Sequence, residues 1–363
     1  MTISIFATRL LSARKAKGMS LQKLADVLGG EYNKQLLNRF EKGIQKPNST
    51  QLIDISKILN INSDYFSKPV RFELGEVDFR KTLKLNKTNQ ERIKEVATDY
   101  LERYIELEEA LGIPSSLKFT PQSVSVNFDS IETVAEKLRK EIWQIGFEPL
   151  ASIVNILEEH GIKVFAIDNL DGEPLPDSFS GFSKIVKENI GFIVFNNHST
   201  IPLVRRRFTL LHEFAHLYLN LKGLEHKQAE RLCNAFAGAV LIPKQTLIET
   251  FGSFRTNFLT NELLLFKKKF GASLSAIMYR NKEVGIVSES YLKYFMIEYN
   301  QKWRNLERNG YEGQESSDRF LQLLLRALAQ DVISESKAAS LNNMKVAEFH
   351  TFLERMFDEN SHN

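Results

Sequence analysis

Apolar positions in the first sixty residues recur at helical spacing in short bursts, cut apart by glycine and by capping side chains. Phe6, Leu10, Leu11 and Ala13 mark a first helix, and Ser20 caps a second over 21–28 that Gly29-Gly30 breaks. A third runs over 33–42 to Gly43, and Pro47-Asn48-Ser49 leads into a fourth over 51–59. Thr88-Asn89-Gln90-Glu91 reads as a capping box ahead of a long stripe, Ile93, Val96, Ala97, Tyr100, Leu101, Tyr104, Leu107 and Leu111, which Gly112 and Pro114 end. Such a stripe is core or a dimer seam. The stretch 114–123, rich in Pro and Ser, is the expected linker.

Two amphipathic helices follow over 131–160, after which the period shifts toward that of strands. Gly161 introduces an apolar run at 162–167, and 179–183 and 190–196 supply two further strands. The last of these is expected to offer a sheet edge to an extended peptide at 190–195. Helical patterns then resume at 203–222, closed by Gly223, and at 226–242, closed by Pro243. Residues 253–290 suggest only mixed structure, and 320–328, 333–341 and 346–356 read as tail helices that pack on the preceding domain. The pattern predicts a mainly α, multidomain chain: an all-α bundle at 1–69, a helical bridge and linker at 70–130, an α+β domain at 131–299 and a helical extension at 300–363.

Chemistry is concentrated in the run Phe208–Leu219, which contains His212-Glu213-Phe214-Ala215-His216. Residues four apart on a helix point about 40° apart, so both imidazoles can reach one Zn²⁺. Glu213 beside them is placed to take a proton from water, the pattern of a zinc peptidase. A buried pair of core histidines is the bland alternative, but it leaves the Glu213 carboxylate to be desolvated without a purpose. Catalytic zinc needs a third protein ligand. On the next helix Glu230, Asn234, Ala237 and Leu241 share a face; Glu230 is the chosen ligand, with Glu225 and His226 as competitors nearer the loop. Asn234, one turn on, is placed to orient a ligand.

Composition narrows the class without changing it. The 363 residues are 43% hydrophobic and 26% charged, ordinary for a globular chain long enough for two or more domains. One cysteine, Cys233, excludes an internal disulfide, suits a reducing cytoplasm and reads as a packing residue. No signal peptide and no run of 18 apolar residues is visible, so no membrane partner is expected. The net charge of +3 is uneven: residues 1–69 carry 11 Lys and Arg against 5 Asp and Glu, the remainder 37 against 40. A basic bundle on a near-neutral body suggests nucleic acid at that end.

The N-terminal residues Gly18-Met19-Ser20, Leu24-Ala25, Glu41-Lys42-Gly43, Pro47 and 52–59 resemble the Cro/C1-type (XRE) helix-turn-helix family. That resemblance implies a third helix in the major groove of a double-stranded operator, with Asn33, Lys34, Gln35, Asn38 and Arg39 at its reading end. Asn and Gln pair with adenine and Arg or Lys with guanine, while Lys42 and Lys46 are better placed for phosphates. Leu21 stands where the family often has Gln, which removes one usual backbone contact.

Arg206-Arg207-Phe208-Thr209 leading into the HExxH helix, then Glu230, Asn234, Phe236-Ala237 and Leu241-Ile242-Pro243, resemble the ImmA/IrrE-type metallopeptidases. That family implies His212, His216 and Glu230 as zinc ligands and Glu213 as the catalytic carboxylate. The fusion implies a cytoplasmic DNA-binding regulator that cleaves a partner repressor or antitoxin, in stress or toxin–antitoxin control, with a homodimer possible. The alternative is a transcription factor or antitoxin whose peptidase-like domain is a sensor or dimerisation module without turnover.

Overall fold

The structure, a computed structural model, describes residues 4–77, 85–305 and 310–361. In chain order the helices α1 Ile5–Ala16, α2 Leu21–Leu28, α3 Lys34–Glu41, α4 Ser49–Leu59 and α5 Lys87–Ala110 come first. Then follow α6 Ile131–Lys137, α7 Ile153–Glu159, β1 Ile162–Ile167, β2 Asn169–Leu170, β3 Glu173–Pro174, β4 Gly181–Val186 and β5 Ile190–Asn196. The helices α8 Leu203–Tyr218, α9 His226–Leu241, α10 Lys244–Phe251, α11 Thr260–Phe270, α12 Leu274–Glu283 and α13 Glu289–Glu298 come next, and α14 Arg319–Ala329, α15 Glu335–Leu341 and α16 Val346–Ser361 close the chain. The mainly α, multidomain reading holds. The chain divides into two compact units. One holds the chain up to Ser115, Leu170–Glu173 and everything from Asp318; the other holds Ser116–Asn169 and Pro174–Ser317.

In the first unit the short helices are set by their caps. Ser4, Ser20 and Asn33 each accept a backbone N–H from the first turn that follows, and Asn48 with Gln51 forms a reciprocal capping box. Leu10, Leu24, Leu37, Phe40, Ile55 and Leu59 fill the bundle core, and Leu21 packs against it. Arg9 closes the bundle onto α5. Its guanidinium donates to Glu102 at 2.6 Å and to the carbonyls of Lys68 and Pro69, at positions almost shut off from solvent. The α5 stripe is core: Ile93, Ala97, Leu101, Tyr104 and Leu107 are buried.

Several expectations fail here for local reasons. Helix α5 starts at Asn86, whose side chain accepts the Asn89 N–H at 2.8 Å, so the Thr88–Glu91 box lies inside the helix. The tail helices, expected on the domain before them, bury Phe320, Leu324, Ala338, Leu341 and Phe349 with Tyr104 and Leu107 of α5.

The second unit is built around a three-stranded sheet of order β1-β5-β4, with β1 parallel and β4 antiparallel to β5. The expected peptide-binding edge at 190–195 is therefore wrong. β5 is hydrogen-bonded on both sides and buried along its whole length, whereas β4 and β1 are the edges. The expected linker also stops short. Leu117 N–H bonds Asn189 and Lys118 N–H bonds His160, and a Cβ at Gly191 would meet Leu117 Cδ2 at 2.6 Å. The chain from 116 is thus part of the second unit's packing. Helix α8 ends at Tyr218 rather than near Gly223, because Asn220 turns extended to bridge Ser125 and the Tyr218 carbonyl accepts the Gln122 N–H at 2.7 Å. The 253–290 stretch is helical, with Leu263, Phe266 and Phe270 of α11 and Leu274, Ile277 and Met278 of α12 all in the core.

Candidate metal centre

Helix α8 has no Gly or Pro after its first residue, and its Leu210, Leu211, Phe214, Ala215 and Tyr218 are fully buried. Phe214 and Tyr218 stack at 5.4 Å and both meet Phe236 of α9, which holds the two helices in register. Burial of such large rings is worth roughly 1.5–3 kcal/mol each, so the α8–α9 pairing is rigid. That rigidity aims the opposite edge of α8 at α9.

There the ligand atoms converge. His212 Nε2 lies 3.1 Å from His216 Nε2 and 3.5 Å from Glu230 Oε2, and His216 Nε2 lies 3.1 Å from Glu230 Oε1. Ligands held about 2.0–2.2 Å from a tetrahedral zinc ion are about 3.3–3.5 Å from one another, so these separations fit one cation with little adjustment. Two imidazoles and a carboxylate are also the donor set such an ion takes. The side chains of His216 and Glu230 remain 28% and 22% exposed while that of His212 is 1% exposed, so the cluster opens to solvent on one side.

Neighbours orient both imidazoles. His212 Nδ1–H donates to Asn234 Oδ1 at 2.7 Å, which fixes the tautomer and leaves the Nε2 lone pair facing the cluster. His216 Nδ1 lies 3.6 Å from Cys233 Sγ. Burial disfavours a proton on His216, but Cys233, Glu230 and Glu213 outweigh it and push the imidazole up to about 10. In the metal-free protein a proton thus takes the place of a cation among these donors. Glu213, buried, accepts from Ser183 Oγ of β4 at 3.1 Å, so the edge strand reaches the carboxylate directly.

Every residue expected at the metal site is brought together: His212, Glu213, His216, Glu230 and Asn234. The competitors Glu225 and His226 sit at the exposed start of α9, Glu225 as its N-cap. Two participants were not foreseen. Cys233, read as packing, follows Glu230 by three residues and so shares its face; that spacing was the available signal. Ser183 carried none, since its place beside Glu213 depends on strand order.

On α3 the picture differs. Lys34, Gln35 and Arg39 are exposed, as are Lys42 and Lys46 just beyond, and Asn38 is half-buried. Asn33 Oδ1 is engaged by the Leu36 N–H at 2.8 Å as the helix cap. Glu41 is neutralised by Arg14, which leaves the basic side chains of this face without an internal acid among the described residues.

Comparison with known proteins agrees with both halves. Residues 10–66 match the helix-turn-helix family, and residues 157–282, which include all the metal-cluster side chains, match the IrrE N-terminal-like domain of the M78 peptidases. The chain is also similar to the SPbeta prophage-derived uncharacterized HTH-type transcriptional regulator YonR of Bacillus subtilis. The two are 33% identical over 75 residues, 20% of this chain and 68% of YonR. No helix among the described residues is long and apolar enough to cross a membrane. The chain belongs to the helix-turn-helix family of transcriptional regulators and joins that DNA-binding domain, in one polypeptide, to an IrrE-like peptidase domain.

Proposed function

We propose that this regulator is a zinc endopeptidase that acts on a partner protein, a repressor or antitoxin, and binds its own operator through α3. The observation that carries the reading is the convergence of His212, His216 and Glu230 within 4.8 Å of one another, with Glu213 on the same helix. Zinc held by those three side chains would supply Lewis acidity toward a peptide carbonyl and make water a nucleophile near neutral pH. Glu213 takes a proton from the attacking water and delivers it to the amine nitrogen as the carbon–nitrogen bond breaks, leaving a carboxylate and a free amine. Ser183 holds one oxygen of that carboxylate, and Asn234 and Cys233 keep the two imidazoles turned inward. An extended substrate is best added along β4, the edge strand that carries Ser183, rather than along β5.

On α3, Lys34, Gln35, Asn38 and Arg39 read base edges, while Lys42 and Lys46 hold phosphates. Asn33 serves first as the helix cap.

The test pairs zinc-loaded wild-type protein with the Glu213→Gln variant, incubated with proteins encoded by adjacent genes. Expected is zinc at equal stoichiometry in both and cleavage by the wild type alone. Equal cleavage removes Glu213 from its role. Full zinc with no cleavage of any candidate favours the second class of function, a regulator whose peptidase fold senses or dimerises.

A further inference from the structure

A cavity of about 630 Å³ opens beside the metal cluster, within the size range of ligand pockets. Phe208, one turn before His212 on the same edge of α8, lines it together with Asn234, the partner of His212 Nδ1. Its inner end therefore belongs to the reaction centre. From the peptidase reading above we infer that it is the pocket for a bulky aromatic or branched aliphatic side chain next to the scissile bond.

The wall chemistry selects that occupant. Val204, Phe208, Ala276, Tyr279 and Tyr299 provide an apolar lining. The charged groups set among them are already engaged. Arg280 is paired with Glu132 at 2.7 Å and Glu283 at 2.8 Å, and Arg205 donates to the Asp177 carbonyl and Ser180 Oγ. The Asp177 carboxylate in turn accepts from Thr200 at 2.9 Å. Gly238 keeps this arrangement possible, because a Cβ there would meet Arg280 Cδ at 2.7 Å. A charged substrate side chain would trade hydration for neighbours already committed, whereas an apolar one gains by leaving water. Glu283, Tyr299 and Arg304 of the wall lie past residue 282, where the peptidase match ends. The pocket is thus partly built by sequence outside the matched domain, as a specificity feature of this chain requires.

Two variants change the pocket in opposite senses. Ala276→Trp fills it, and Tyr279→Ala, at a position 49% exposed, widens its rim with little demand on folding. Zinc-loaded proteins are incubated with a library of unstructured peptides, and cut sites are read by mass spectrometry alongside zinc stoichiometry. Wild type is expected to cut beside Phe, Tyr, Trp, Leu or Met. Ala276→Trp should lower kcat/KM at those sites about tenfold or more and move cutting toward Gly, Ala and Ser, with zinc unchanged. Tyr279→Ala should broaden the preference. An unchanged site profile in both variants, or an equal loss at every site, overturns the inference and points to a small-molecule pocket. No cutting by zinc-loaded wild type strikes the peptidase reading instead. The pocket is then judged by peptide affinity, and equal binding of bulky-residue peptides by wild type and Ala276→Trp overturns it.

Discussion

The metal cluster and the exposed face of α3 are both made of polar side chains on short stretches of helix, yet they are held in opposite ways. Around the cluster each functional side chain has a partner: Asn234 for His212, Cys233 for His216, Ser183 for Glu213. On α3 Lys34, Gln35 and Arg39 stand in solvent, and only Asn33 has its oxygen engaged, by its own helix. Chemistry on a substrate gains from groups fixed in advance, because they then cost no reorganisation as the reaction proceeds. Recognition of DNA leaves the last ordering of Arg and Lys to the phosphates and base edges they meet. Damage should follow the same division: loss of turnover or metal at the cluster, loss of DNA affinity alone on α3.

Glu213→Gln is the strongest break. It keeps the size and the Ser183 contact but cannot take a proton, so cleavage should fall by roughly 10²–10⁴ in kcat with zinc retained. Steady-state rates beside metal analysis check this, and an equal operator footprint completes the contrast. Asn234→Ala comes next: loss of the Nδ1 partner should weaken zinc binding about 10–100-fold by competition with a chelator. Cys233→Ala should act in the same direction but less, since sulfur at 3.6 Å is a weak acceptor. If Cys233→Ala leaves zinc affinity unchanged, the sulfur is packing and His216 is oriented by Glu230 alone.

Smaller effects belong to α3. Arg39→Ala and Gln35→Ala should each cost about 1–3 kcal/mol against the preferred operator base and relax specificity there. Lys42→Ala should weaken binding to all sequences and lower the salt slope of log K by about 1. Titrations at several salt concentrations separate the two. A fall in cleavage rate in any of these variants breaks the division between the regions.

The same contrast explains what could be read from the chain. His212, His216, Glu230 and Asn234 are related by steps of four residues, and helices α8 and α9 obey that period, so the cluster followed from spacing. The caps Ser20 and Asn48 are local too. What escaped depends on partners distant in sequence. Strand order put β5 in the centre, and no pattern within 190–196 distinguishes a central strand from an edge. Arg207, read as part of a motif, is fully buried and paired with Glu315, 108 positions away, besides donating to the carbonyls of Leu150, Ala151 and Gly271. Removing that guanidinium should leave Glu315 buried without its cation, a loss of about 3–5 kcal/mol that no local signal foretold.

Asn33 is where the two kinds of region meet, and its expected effect is the smallest. As the N-cap of α3 it behaves like a cluster residue, with its oxygen committed to the Leu36 N–H. As the first polar side chain at the reading end of α3 it was expected to touch a base. Asn33→Ser keeps a capping oxygen and removes the amide, so thermal stability should move by a few tenths of a kcal/mol, whereas Asn33→Ala should lose about 1 kcal/mol. If capping is its whole role, the serine variant binds operator as the wild type does, and the alanine variant loses affinity only in proportion to fraying of α3. A serine variant that folds normally yet discriminates less at one base pair would place Asn33 among the base-reading side chains and move the boundary between the two regions by one residue.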